Sequence, residues 1–179
     1  MYAYHIRHYG PNAQFEVADI PKPTVPPGHL LIQVKATSLN PVDWKIRTHD
    51  LPIAPDLPAV LHGDVAGVVT EVGKEVTTFQ VGDEVYGCAG GVKGQGGALA
   101  EFMVADAQLI ALKPRTLGFR EAAALPLVSI TAWEGLIDRA RVQPNQQVLV
   151  HAATGGVGHI ALQLANIHGA TVVTTASSK

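Results

Sequence analysis

The stretch Ala152-Ala153-Thr154-Gly155-Gly156-Val157-Gly158 constrains this chain more than any other. It joins two segments of different period. Residues 147–151 hold Val148-Leu149-Val150, an apolar run that reads as a short central parallel strand, buried on both faces. After the turn, Val157, Ile160, Ala161, Leu164 and Ala165 fall at i, i+3, i+4, i+7 and i+8. That spacing predicts a helix over 157–168 with one apolar face, and Gly169 is its expected C-cap. Residues 171–175 are β-branched and read as a second strand, so the segment is one βαβ unit. Set against G-x-G-x-x-G, Ala153 takes the first glycine's place, Gly155 the second and Gly158 the third. Small residues let a diphosphate reach the backbone, and a helix N-terminus aims N–H groups at it. Gly158 lets the helix close on the strand. Thr154, Gly155, Gly156, Val157 and Gly158 are therefore read as the phosphate turn of a dinucleotide site. A plain strand-to-helix turn is the competing reading.

The end of the second strand chooses between cofactors. An NAD site places Asp or Glu there for the ribose 2′-hydroxyl. This chain has Thr175-Ala176-Ser177-Ser178-Lys179, with no carboxylate. Hydroxyls at Ser177 and Ser178 with the Lys179 ammonium suit a 2′-phosphate, which points to NADP(H). A polar loop with a chance lysine is the alternative.

Upstream, the pattern is β-rich. Ile32, Val34 and Ala36 alternate with Gln33, Lys35 and Thr37. Residues 65–72 read as a buried, bent strand, and 83–86, 99–104 and 109–112 as further strands between Gly and Pro turns. Many short strands of this kind suggest a small barrel or sandwich. Helices are expected at 120–125 and 129–139, with Pro126 between them. The domains are placed at 1–119 and 120–179. A single βαβ unit cannot complete a two-sided parallel sheet, so the chain reads as cut short.

Composition narrows the function. Of the 179 residues, 47% are hydrophobic and 16% charged, which suits a packed globular chain. The net charge of -2 gives no basic footprint, so no nucleic-acid partner is expected. No apolar run approaches a spanning helix, and the first residues lack a signal-peptide pattern. The expected setting is cytoplasmic, away from membranes. The single cysteine, Cys88, excludes an internal disulfide and a multi-cysteine zinc site.

Three segments together resemble a known family. They are Asn40-Pro41-Val42-Asp43-Trp44-Lys45-Ile46-Arg47, Gly63-Asp64-Val65-Ala66-Gly67-Val68-Val69 with Val81-Gly82-Asp83-Glu84-Val85, and residues 152–158 with Ala161-Leu162-Gln163-Leu164-Ala165. The chain resembles the zinc-independent quinone oxidoreductase branch of the medium-chain dehydrogenase/reductases. The resemblance implies an α/β fold: a GroES-like N-terminal domain, then the start of a Rossmann doubly wound parallel sheet, truncated here, with a cofactor cleft between them. Zinc relatives carry Cys where Asn40 stands and His where Gly63 stands, so no metal is expected. His62 lies one position early, and on a strand one step turns a side chain to the opposite face.

By the same resemblance, Asn40 lies beside the nicotinamide and Thr131 holds its carboxamide. The family often has tyrosine at position 45 and another near Leu51; here Lys45 stands, and the run N-P-V-D-W-K-I is similar to the alkenal/enone reductases. Lys45 is read either as a hydrogen-bond donor to the acceptor oxygen or as a solvated loop lysine. Asp43 is read either as the group that orients Lys45 or as a turn acid. The implied reaction is metal-free hydride transfer from NADPH to a quinone or an α,β-unsaturated carbonyl, in an enzyme that dimerises at full length. A zinc-free alcohol dehydrogenase, which lacks a visible base, and a non-catalytic NADP-binding relative or inactive fragment are the rivals.

Overall fold

The computed structural model describes residues 1–177. Two compact units divide the chain, Met1–Pro126 and Leu127–Lys179. The first is built on strand pairing between apolar runs. Strands β1 (Tyr2–Ile6), β2 (Glu16–Asp19), β3 (His29–Ala36), β4 (Ala59–Val60), β5 (Asp64–Val72), β6 (Glu84–Cys88), β7 (Phe102–Asp106) and β8 (Ile110–Leu112) form two sheets. A five-stranded antiparallel sheet runs β7-β3-β5-β6-β8, and a three-stranded one runs β2-β1-β4.

β5 is central because, after Asp64 at its head, Val65, Ala66 and Gly67 are small, apolar and buried on both faces. Val65 and Val69 pack with Leu30, Ile32, Val85 and Met103 in the main core. Gly67 lets the β3 backbone pass: a Cβ there would lie 2.2 Å from the Gln33 carbonyl oxygen. The pairing of β3 with β5 shifts register at Leu31/Ile32 and again at Val34/Ala36, so the ladder bends. β1 and β2 pair although the sequence signalled neither; their burial patterns, eBeBB and eeie, show that only β1 covers core.

Helix α1 (Pro41–Thr48) was not expected. Its signals are Pro41 at the first helical position, Asp43 two residues on, and Lys45 and Arg47 in the last turn. Ile46 buries against Ile6, Ala59 and Leu61, which ties α1 to the smaller sheet. Helix α2 (Phe119–Ala123) stays with the first unit, since Ala122 and Ala123 pack on Ala66. The unit therefore extends to Pro126 and does not stop at 119.

Helix α3 (Pro126–Trp133) begins on Pro126, which starts the helix because the missing N–H costs nothing at that position. The helix expected over 129–139 changes period partway. Glu134–Arg139 is a π-helical turn, closed by the Ala140 N–H on the Gly135 carbonyl at 3.1 Å. In the second unit, β9 (Gln147–Val150), α4 (Gly156–Ile167) and β10 (Thr171–Thr174) make the expected βαβ unit, with β9 and β10 parallel and Val148 opposite Val172. Gly169 follows α4 with φ 79, the left-handed conformation that ends a helix. Ala161 packs on Val150 and Ala132, and Ala165 on Val142 and Ala170. Among the described residues no helix is long and apolar enough to cross a membrane.

Ile32 has no exposed surface and sits at the centre of the larger core. Ile32→Ala is expected to cost the chain about 2–5 kcal/mol through lost burial and a residual cavity. Urea unfolding followed by Trp44, in a background where Trp133 is phenylalanine, measures the loss in the first unit alone.

Candidate active site

The residues singled out in the sequence fall into two groups, one in each unit. The first surrounds the start of α1. Asn40 precedes the helix in extended conformation, φ -111 and ψ 157, and is buried. Asp43 accepts the Asn40 backbone N–H at 2.7 Å, the return half of a capping box. Asp43 is thus turned to backbone and not to Lys45. Lys45 lies exposed on α1, not on a loop, and forms no ion pair among the described residues.

Asn40 reaches a partner far away in sequence. Its Nδ2 donates to Asp64 Oδ2 at 2.8 Å and to Ser38 Oγ at 3.0 Å. Ser38 Oγ donates to the same Asp64 oxygen at 2.6 Å, and the Cys88 thiol also bonds Asp64. Thr37 Oγ1 donates to the Asp64 carbonyl at 2.7 Å. Asp64, the first residue of β5, has no exposed surface. Both amide hydrogens of Asn40 are spent, so what it offers a ligand is its carbonyl oxygen, an acceptor with two lone pairs.

His62 joins this group, which corrects the expectation that it faces away. It is not on a strand; its φ is 75, and β5 begins two residues later. The parity rule for strands does not apply to such a residue. The imidazole is buried, meets Phe15 edge-on with ring centroids 6.2 Å apart, and leaves Nδ1 without a hydrogen-bond partner among the described residues. Burial pushes its pKa down, against the pull of Asp43 and Asp64. Burial pushes Asp43 up, opposed by the Asn40 backbone N–H. Burial, with Asp64 beside it, holds the Cys88 thiol up at about 12, so the sulfur is no nucleophile near neutrality. A Cβ at Gly63 would lie 3.0 Å from the Gly90 carbonyl oxygen and 3.2 Å from Cys88 Sγ, so the position is filled by its surroundings. Among the described residues no group of three His, Cys, Asp or Glu side chains stands ready to hold a metal ion.

The second group is the glycine turn. Gly155 caps α4 with φ -79 and ψ 167. The first intrahelical bond runs from His159 N–H to the Gly155 carbonyl at 3.0 Å. The N–H groups of Gly156, Val157 and Gly158 precede it and have no acceptor within the helix. Gly158 is obligatory, since a Cβ would fall 2.2 Å from the Ala152 carbonyl oxygen. Gly155 and Gly156 are less crowded, with nearest approaches of 3.3 and 3.2 Å. The left-handed residue of the turn is Ala152, φ 54, not Ala153. Its N–H donates to Thr175 Oγ1 at 3.1 Å, and the Ala153 N–H donates to the Thr175 carbonyl at 3.1 Å, so the end of β10 holds the turn. His151 Nδ1 lies 3.2 Å from the same hydroxyl. Thr154 and Val157 are exposed, as is Ser177; Ser178 and Lys179 lie outside the described residues. On α3, exposed Thr131 donates its hydroxyl hydrogen to the Leu127 carbonyl at 2.8 Å, which leaves its oxygen as an acceptor.

Sequence reasoning missed Asp64, Ser38 and Thr175 as members of these groups. Asp64 had a signal, since a carboxylate at the head of an apolar strand must be paired.

The chain is similar to several known proteins. Residues 26–115 match the alcohol dehydrogenase GroES-like domain family. A chloroplast envelope quinone oxidoreductase homolog of Arabidopsis thaliana is 39% identical over 100% of this chain and 56% of its own length. An NADPH-dependent alkenal/one oxidoreductase, chloroplastic, of the same organism is 39% identical over 90% of this chain and 43% of its own. The crystal structure of an alcohol dehydrogenase superfamily protein from Novosphingobium aromaticivorans is 45% identical, with a TM-score of 0.94 over 99% of this chain and 54% of that one. The chain thus spans about half the length of the relatives it matches.

His62 sets a testable pH dependence. An imidazole held neutral by burial binds fewer protons folded than unfolded, so stability is kept above the unfolded value of about 6.5 and lost as pH falls below it. Asp43 acts oppositely: its raised value favours the protonated folded form, and its contribution fades as pH rises through that value. His62→Asn, which tolerates the left-handed backbone, should flatten the loss of stability below about pH 6.5. Urea midpoints at pH 5, 6 and 7.5 for both proteins check this; parallel curves would refute it.

Proposed function

The chain belongs to the alcohol dehydrogenase GroES-like family, in the quinone oxidoreductase branch of the medium-chain dehydrogenase/reductases, and from that premise we propose that it serves NADPH-dependent reduction of quinones or α,β-unsaturated carbonyls. The observation that carries the reading is the row of N–H groups at Gly156, Val157 and Gly158 with no acceptor among the described residues, reached over residues without bulk. These groups suit a diphosphate: they present partial positive charge, and Gly155 and Gly156 let oxygen atoms come close. Thr154 adds a hydroxyl at the rim. Ser177, Ser178 and Lys179 supply the donors for a 2′-phosphate, and the absence of Asp or Glu in 175–179 leaves nothing to repel it.

At the redox end, Thr131 offers an oxygen acceptor to a carboxamide N–H. Asn40 offers its carbonyl oxygen, held by Asp64 and Ser38. Bound NADPH supplies the hydride, which goes to an electrophilic carbon conjugated to a carbonyl. The oxygen of that acceptor gains charge, and a donor must meet it. Asn40 has no amide hydrogen left for this task. Lys45, an exposed ammonium one turn along α1, is the donor proposed, with Asp43 fixing the helix start from which it projects. The names of relatives support both acceptor classes, and the alkenal/one oxidoreductase supports the cofactor. Dimer formation and a cytoplasmic setting are part of the same proposal.

Titration with NADPH and NADH tests the reading, followed by NADPH oxidation with 1,4-benzoquinone and with a 2-alkenal. Saturable association favouring NADPH is expected. Gly158→Ala should weaken it by roughly tenfold or more, the scale of about 1–3 kcal/mol of over-packing against Ala152. Association with neither nucleotide removes the basis for the assignment.

A further inference from the structure

We propose that Asp64 is the positioning residue of the redox site, which fixes the Asn40 side-chain amide in one orientation so that only its oxygen is presented. The inference rests on the reading above that places Asn40 at the nicotinamide. Its support is geometric. One Asp64 oxygen takes hydrogen bonds from Asn40 Nδ2 at 2.8 Å and Ser38 Oγ at 2.6 Å, and Asn40 Nδ2 also meets Ser38 Oγ at 3.0 Å. Three polar groups thus close a triangle, and the Cys88 thiol adds a further donor to the same carboxylate.

A primary amide is nearly symmetric in shape, so packing alone does not choose which end is nitrogen. A carboxylate does choose, because it accepts and does not donate. Asp64 has no exposed surface and Asn40 is 6% exposed, so water competes little for these bonds. Asp64 is itself anchored at both levels: its carbonyl takes the Thr37 hydroxyl, and its backbone heads the central strand, paired with Cys88 on β6. Asn40 is anchored too, by the Asp43 carboxylate on its backbone N–H. The amide is therefore pinned from both sides before any ligand arrives, which removes a reorganisation step from the reaction. Asp64 touches neither cofactor nor acceptor in this account; it acts through Asn40.

The test compares wild type, Asp64→Asn, and the exchanged pair Asn40→Asp with Asp64→Asn. An amide at 64 can turn either its oxygen or its NH2 toward Asn40 and Ser38, so it no longer dictates which end of the Asn40 amide is nitrogen. The Asn40 side-chain amide signals in a ¹⁵N-labelled protein, assigned by difference, should be sharp in wild type and shifted or doubled in Asp64→Asn. Turnover with NADPH and 1,4-benzoquinone should fall about 10- to 100-fold, the range for losing an orienting partner. The NADPH dissociation constant should change by less than about threefold, because turnover and not binding is what orientation serves. The exchanged pair restores a hydrogen bond between positions 40 and 64, so it should recover the thermal midpoint but not turnover. Recovery of turnover together with stability in the exchanged pair would reduce Asp64 to a structural role and overturn the proposal. Unchanged Asn40 amide signals in Asp64→Asn would overturn it independently. If wild type neither binds NADPH nor turns over, the functional reading fails, and the amide signals alone decide whether Asp64 sets the orientation.

Discussion

A carboxylate with no exposed surface heads the central strand of the larger sheet, and much of the first unit is arranged to make that tolerable. Burying Asp64 unpaired would cost several kcal/mol. Three donors from two places in the sequence offset it: Ser38 and Asn40 from the β3–α1 connection, and Cys88 from the end of β6. The same residue thereby ties the loop before α1 to both sheet neighbours of β5. Asp43 and His62 complete the group with opposite tendencies, a carboxyl whose charge burial disfavours and an imidazole held neutral. Buried groups of this kind specify a geometry more than they add stability, because each is satisfied in only one arrangement.

The second unit solves a different problem with backbone alone. A helix must start hard against the end of a strand, and its first N–H groups must stay unpaired. The closest approach is Gly158 to Ala152, where no side chain fits. Ala152 takes the left-handed conformation next to it, at the cost an L-residue meets there. Thr175 offsets that cost with two bonds, its hydroxyl to the Ala152 N–H and its carbonyl to the Ala153 N–H. The glycine turn and the end of β10 are one hydrogen-bonded piece.

Legibility followed sequence separation. The βαβ unit was readable because its strand, helix and turn each have a local signature, and α4 begins within a residue of its expected start. β3 and β5 were readable from their apolar runs. Asn40 was picked out by resemblance, but its bond to Asp64 spans 24 residues, and no local pattern announces such a pairing. α1 was missed although Asn40, Pro41 and Asp43 spell a helix start. His62 was misassigned for a definite reason: parity assumes extended backbone, and a φ of 75 breaks it. The π-helical turn at Glu134–Arg139 has no compositional mark, since it differs from α-helix by one residue in bond spacing.

The hydrogen-bond inventory of Asn40 changes what chemistry the residue can be asked to do. An asparagine at a reduction site is easily cast as the donor that stabilises an oxyanion. Here both amide hydrogens point into the Asp64–Ser38 triangle, and rotating the amide to free them would set its oxygen against a carboxylate. Asn40 is therefore an acceptor by construction, and acceptors hold hydroxyl or amide hydrogens, not developing negative charge. The donor must come from elsewhere, and α1 supplies a candidate five residues on in Lys45, whose ammonium is exposed and engaged in no ion pair among the described residues. A tyrosine at this position would donate a neutral O–H group; a lysine brings a full charge, which strengthens the bond to an enolate-like oxygen. A substrate that builds charge on oxygen as hydride arrives at carbon gains most from that exchange.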